Sequence, residues 1–180
     1  MDKKANNIKG LTLIEILVVV SILGILTALA LPSFNDTIEA QAAMSEFRRI
    51  NTMLNLARSE AIKRGGNVSI CASDDGLDCD LNNWSNGYII FVDNNGDANG
   101  AAGTIDAGDE VIRAYNAAGS SSNITMTVGM LTYNSMGFSA TGGTQTFKIC
   151  PDSNNANNAR SLEILPSGRG RLIETGIVCP

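Results

Sequence analysis

The 180-residue sequence contains no histidine. That absence removes Ser-His-Asp and Cys-His catalysis, His-ligated zinc and any imidazole pH switch. Charged residues make up only 17% and the net charge is −5, so the bulk positive charge that grips nucleic acid is missing. Four cysteines are too few for a disulfide-dense scaffold and enough for two bridges. None forms a C-x-x-C pair, which together with the missing histidine sets zinc aside. No internal repeat, nucleophile–base pair or cofactor loop is present. Paired carboxylates occur only in Asp-rich loops, where turn chemistry accounts for them. The chain therefore reads as a non-enzyme with no resident cofactor. Its length fits one domain, or one domain with an appendage, and a hydrophobic content of 44% argues against disorder throughout.

The hydrophobic residues are concentrated. Residues 11–31 read LTLIEILVVVSILGILTALAL, with sixteen apolar residues of 21 and one charge, Glu15. As a helix this run is about 32 Å long, enough for a bilayer core of about 30 Å. Residues 1–10 carry Lys3, Lys4 and Lys9 against Asp2. Basic residues stay cytoplasmic, so the N-terminus is expected inside and residues 32–180 outside. A secretory signal would have a shorter apolar region followed by a small-residue cleavage site. Glu15 does not suit a plain anchor, because a carboxylate in hydrocarbon costs a few kcal/mol or more and usually marks function. A cut between Gly10 and Leu11 would create an α-amine able to neutralise the Glu15 of a neighbouring subunit. In an apolar medium such pairing is strong, which ties both features to lateral assembly of helices.

Lys9-Gly10-Leu11-Thr12-Leu13-Ile14-Glu15 followed by an apolar run resembles the class III prepilin motif. The resemblance implies that a prepilin peptidase cuts after Gly10 and methylates Leu11, and that Glu15 guides assembly into a pilus or pseudopilus. Leu11 stands where the family usually has Phe. Pro32 sits where many type IV pilins carry a helix-kinking proline. Further along, residues 84–115 (WSNGYIIFVDNNGDANGAAGTIDAGDEVIRAY), 131–138 (LTYNSMGF) and 167–172 (SGRGRL) are similar to the soluble domain of the GspH/FimT/FimU group. The implied fold is α+β and type IV pilin-like. Residues 1–10 would be the leader, 11–31 the transmembrane and assembly helix, 32–65 an amphipathic helix, and 66–180 a periplasmic β domain.

The residues give the same architecture independently. Ala43, Phe47, Ile50, Leu54, Ala57 and Ala61 recur at helical spacing as a stripe for core packing. Glu46/Arg49 and Glu60/Arg64 fall on the wet side, and Gly65-Gly66 closes the helix. One helix is expected from about residue 11 to 64, kinked or unwound at Pro32, which has no N–H for the Ala28 carbonyl. Strand signals follow at 67–72, 88–93, 110–115, 124–128, 131–133, 144–150, 161–165 and 169–174. Short Gly/Asn/Asp connections favour antiparallel pairing. The helix is expected to lie against one or two antiparallel sheets.

Four cysteines allow three pairings, and loop geometry favours Cys71–Cys79 with Cys150–Cys179. Disulfides suit the periplasm. Asp93, Asn95 and Asp97 alternate as Ca²⁺ ligands do. The EF-hand pattern fails at Ala98 and Thr104, however, so the alternatives are a weak Ca²⁺ site and a solvated turn. Arg169 and Arg171 are two apart, hence expected on one strand face, with Arg160 in the strand before. Gly168-Arg169-Gly170-Arg171 resembles the GRxR motif of DNA-binding minor pilins of the FimT branch. Phosphate contact with double-stranded DNA is one reading. Pairing of these arginines with Glu163, Glu174 or acidic loops is the other.

The resemblance implies a minor pilin or pseudopilin in the bacterial inner membrane. It would be single-pass with its N-terminus cytoplasmic, and would enter a type IV pilus or a type II secretion pseudopilus at or near the tip. The implied partners are other pilin or pseudopilin subunits, prepilin peptidase and the inner-membrane assembly platform. A FimT-like DNA receptor for natural transformation is the alternative. Loss of residues 1–10 removes three lysines and one aspartate, taking the net charge from −5 to −7. Any DNA contact must then work against the overall field.

Overall fold

A computed structural model of the chain describes residues 12–80, 83–94, 105, 108–116 and 122–179, the side chains of 28–33 excepted. Among these residues the chain forms one helix, α1 (Leu13–Arg64), and eight strands. The strands are β1 (Asn67–Ala72), β2 (Gly87–Asp93), β3 (Glu110–Asn116), β4 (Ser122–Met126), β5 (Met130–Tyr133), β6 (Gln145–Pro151), β7 (Arg160–Ile164) and β8 (Gly170–Ile173). The architecture is α+β with antiparallel sheets. Two compact units are distinguished, Met1–Thr37 and Ile38–Pro180.

In the first unit the helix starts on a reciprocal cap. Thr12 precedes the first helical residue and Glu15 is the third, the Thr-x-x-Glu spacing of a capping box. The helix continues through Pro32 without a break.

In the second unit α1 carries the buried residues Ala43, Ile50, Met53, Leu54, Ala57 and Ala61, with Phe47 partly buried beside them. Met53 joins the stripe because it lies three residues after Ile50 and one turn before Ala57. Glu46 corrects the expectation of a wet side, since it is only 5% exposed. Arg49 explains this: its Nε lies 2.9 Å from Glu46 Oε2. Its guanidinium stacks 5.0 Å from the Tyr88 ring centroid, and Nη1 donates to the Asn116 carbonyl at 3.0 Å. A buried carboxylate is tolerated when it is paired in this way. The helix ends at Gly65, whose φ of +68° suits a residue without Cβ. The N–H groups of Gly65 and Gly66 both donate to the Ala61 carbonyl.

The strands form two four-stranded sheets, ordered β3-β2-β1-β5 and β4-β6-β7-β8. One core joins α1 to the inner faces of both. Val68, Ile70, Tyr88, Ile90, Leu131 and Tyr133 come from the first sheet, and Ile124, Phe147, Ile149, Leu162 and Ile164 from the second. Trp84 closes it edge-on to Phe147, with ring centroids 4.8 Å apart. The first sheet is covered on its back as well, where Cys71, Ile89, Phe91 and Met130 pack with Cys79 and Ile105. This explains why β2 reads GYIIFVD without alternation: it is buried at every position. Cys71 is bonded to Cys79 and Cys150 to Cys179.

One connection departs from the expected pairing of neighbours. β4 and β5 are separated by three residues, yet they enter different sheets. Thr127 turns the chain here. Its N–H donates to the Thr146 carbonyl at 3.1 Å and its Oγ1 bonds Gln145 Oε1 at 2.8 Å, so the chain stays attached to β6 until Val128-Gly129 carries it across.

Candidate functional site

The N-terminal candidates begin at the edge of the described residues, and Gly10 and Leu11 lie outside them. Glu15 is described and is occupied by its own chain. Its Oε2 accepts from the Thr12 N–H at 2.9 Å and the Thr12 hydroxyl at 3.0 Å. The Glu15 N–H reaches back to Thr12 Oγ1 at 3.4 Å. Two helix-start donors are thereby satisfied without water. The other hydroxyls of the segment do likewise: Ser21 Oγ donates to the Leu17 carbonyl at 2.7 Å and Thr27 Oγ1 to that of Leu23 at 2.9 Å. The apolar side chains from Leu13 to Leu26 are exposed. The segment thus bonds these polar groups to its own helix while its apolar side chains stand exposed. Among the described residues no helix is long and apolar enough to cross a membrane. The part of the run whose side chains are described, 12–27, is about 24 Å as helix against about 30 Å of hydrocarbon. Pro32 lies inside α1.

The C-terminal candidates lie on the β7–β8 hairpin. Its turn is closed by the Gly168 N–H donating to the Leu165 carbonyl at 2.8 Å and the Leu165 N–H donating to the Arg169 carbonyl at 3.0 Å. Gly168 has φ of +77°, and a Cβ there would stand 2.1 Å from the Gly137 carbonyl oxygen. A Cβ on Gly170 would stand 2.9 Å from Leu162 Cδ1. Gly168 is therefore required by its backbone and packing, whereas a Cβ on Gly170 meets only the end of the Leu162 side chain. Arg58 of α1 locks the arrangement: Nε donates to the Gly137 carbonyl at 2.8 Å and Nη2 to the Ser167 carbonyl at 3.2 Å.

The three arginines are not brought together. β8 starts at Gly170, so Arg169 ends the turn and only Arg171 lies in the strand. In the register, Arg171 stands opposite Glu163 and is ion-paired with it. Arg160 stands opposite the core residue Ile149, so it belongs to the other face of the sheet. Its Nε lies 3.7 Å from Glu174. The expectation of one patch fails because Arg160 and Arg171 are an odd number of positions apart across the register. Arg169 is exposed, and among the described residues its side chain has no partner.

The acidic loops are organised by local bonds. Asp75 Oδ1 accepts from the N–H groups of Leu77 at 2.8 Å and Asp78 at 3.1 Å. These bonds hold its carboxyl below the usual range. Asp93 is buried, and Asn95 and Asp97 lie outside the described residues. Among those described, no group of three metal-binding side chains occurs.

Sequence reading missed two residues. Thr12 carried a legible signal in the Thr-x-x-Glu spacing. Arg58 carried none, because its partners are carbonyl oxygens 79 and 109 residues away.

A model of the family described as type II transport protein GspH matches residues 46–168. A model of the prokaryotic N-terminal methylation motif matches residues 5–31. The type IV minor pilin FimU of Pseudomonas aeruginosa superposes with a TM-score of 0.59 at 25% identity, over 76% of this chain and 92% of that one. The minor pseudopilin EpsH of the type 2 secretion system of Vibrio cholerae shares the fold, with a TM-score of 0.51 at 14% identity over 75% and 98%. Pilin-like protein PilA1 of Thermus thermophilus is 40% identical over 89 residues, 48% of this chain and 49% of PilA1. The chain thus spans about half the length of that curated relative.

Proposed function

Because the chain belongs to the GspH family and carries the prokaryotic N-terminal methylation motif, we propose that it is a minor pilin or pseudopilin subunit built for a filament. It is cut after Gly10, methylated on Leu11 and drawn into the filament through Glu15. The observation that carries this reading is the course of α1. It begins in the motif's exposed apolar segment at Leu13 and ends at Arg64, inside the stretch matched by the GspH model. A helix whose start bonds its own polar groups and whose later turns anchor a folded head suits a subunit that leaves a bilayer for a filament. In this reading the apolar run spans the inner membrane once before assembly, with the lysines of residues 1–10 cytoplasmic and the head periplasmic. Other pilin or pseudopilin subunits, prepilin peptidase and the assembly platform are its partners, and its place is at or near the filament tip.

DNA contact is not part of the reading. Phosphate tracking needs several free cations on one surface, and two of the three hairpin arginines are paired with carboxylates on opposite faces.

Mass spectrometry of the membrane-extracted protein tests the processing. The wild-type chain is expected to begin at methylated Leu11, and Gly10→Asp at Met1. A wild-type filament subunit that still carries residues 1–10 would overturn the proposal.

A further inference from the structure

Two exposed surfaces of the second unit are complementary. The first surrounds the Gly137 turn. Ile62, Met136 and Phe138 are 52%, 69% and 48% exposed. They are neighbours, since a Cβ on Gly137 would stand 2.8 Å from Ile62 Cδ1. Beside them, across the contact between Gly137 and Gly168, stands Arg169, exposed and without a side-chain partner among the described residues. Beneath lies Arg58, whose guanidinium is bonded to carbonyl oxygens, so its positive charge is not cancelled there. This is an apolar patch with a cationic border on a protein of net charge −5.

The second surface is the loop closed by Cys71–Cys79. Leu77 stands at its tip, 69% exposed, flanked by the exposed side chains of Asp74 and Asp78. Asp75 braces the loop from within by accepting the Leu77 and Asp78 N–H groups, so Leu77 is held out by the backbone. The loop is an apolar point with an anionic border.

The two surfaces occupy opposite corners of the first sheet. The loop follows the end of β1 and rests on the outermost strand, where a Cβ on Gly76 would meet Ala114 Cβ of β3 at 3.2 Å. The Gly137 turn follows β5, the other outermost strand, beside the start of β1, where Val68 pairs Tyr133. Ala114 is level with Cys71 and Tyr133 with Val68, so these anchor points are about 14 Å apart across the strands and about 10 Å along them. They also lie on different faces, because Cys79 packs on the back of the sheet and Ile62 belongs to the helix on the front. One molecule cannot bring its own pair together.

We propose that the Leu77 loop of one copy docks on the Ile62/Met136/Phe138 patch of a second copy, with Asp74 and Asp78 facing Arg169 and Arg58. Exposed apolar groups bordered by charge mark interaction surfaces, and opposite borders fix orientation and partner. The contact is heterologous: each copy offers one surface and keeps the other free, so the association propagates head to tail. It rests on the heads alone and does not depend on processing at Gly10 or on Glu15.

The test uses the full chain in detergent micelles and two surface variants, Met136→Glu/Arg169→Glu and Asp74→Lys/Asp78→Lys. Sedimentation equilibrium reads the association. The wild type is expected to self-associate, less so when salt is raised from about 0.05 M to about 0.5 M. Each variant alone presents like charges across the contact and is expected to associate at least about tenfold more weakly. An equimolar mixture of the two restores opposite charges at every contact and is expected to return within about threefold of the wild type. The apolar helix is common to all samples and contributes equally. Circular dichroism and disulfide content check the fold. Should a charge variant fail to fold, Leu77→Ser and Phe138→Ser, which leave the charges untouched, are each expected to weaken the wild-type association. A wild type that stays monomeric, charge variants that associate as it does, or a mixture no stronger than its components would each overturn the proposal.

Discussion

Gly168 and Gly137 meet back to back, each in the left-handed backbone region, at φ of +77° and +78°. The oxygen that a Cβ on Gly168 would strike belongs to the backbone of Gly137, and Arg58 holds that oxygen in place. Gly168→Ala is therefore expected to lose about 2–4 kcal/mol, read as a lower urea midpoint. Gly143→Ala is the control. It has φ of +62° with nothing within 4 Å, and is expected to lose only about 1 kcal/mol. The run Gly-Arg-Gly-Arg was legible in the sequence as a turn with cations. The packing reason for its first glycine was not, because it depends on another turn thirty-one positions earlier. The pairing of Arg171 with Glu163 was legible as an alternative, since hairpin register sets such neighbours.

At the scale of elements, the last turn of α1 is tied to the first residue of β3. Arg64 bonds Glu60 at 2.9 Å and Glu110 at 2.7 Å. Those bonds hold both carboxyls below their ordinary value of 4.5 and raise the arginine further. A carboxyl whose value is lower in the folded chain stabilises the fold above its unfolded value, and that stabilisation is lost as pH falls through the folded one. The thermal midpoint is thus expected to drop as pH is lowered below 4.5, and Arg64→Gln is expected to flatten that drop. Because Arg64 and Glu110 are exposed and Glu60 only half-buried, the effect is small and shrinks with added salt. The helix and most strands could be read from the sequence, for α1 is an apolar run followed by one apolar stripe from Ala43 and the strands are short runs between turn residues. The division of β4 and β5 between sheets could not. Ile124 in β4 and Leu131 in β5 face one shared core, so their apolar pattern is the same whichever sheet each joins. The burial of Glu46 was hidden too, since Tyr88 and Asn116 complete the Arg49 site from distant strands.

At the scale of the whole molecule, the chain combines a segment that bonds its own polar groups with a head that has two disulfides. Glu15→Val would remove the acceptor of the Thr12 donors and the charge proposed for assembly. The variant is expected to reach the membrane fraction as the wild type does and to be depleted at least about tenfold from sheared filaments. Normal incorporation would count against the role of Glu15. Family membership was legible at this scale because the motif spacing and the strand-and-turn pattern are contiguous in sequence, whereas contacts made across the fold leave no such trace.

Arg58 has a consequence in time. Its two acceptors lie 79 and 109 residues further along the chain, so its site exists only once both turns have closed and met. Contacts of such separation close late, after the entropy of the intervening loops has been lost. Arg58→Ala is therefore expected to speed unfolding several-fold while leaving the refolding rate nearly unchanged, a shift of one arm of the chevron. Equal movement of both arms would place the guanidinium in the folding nucleus instead. The residue acts as a latch on the finished head, setting how long it stays folded more than how fast it forms.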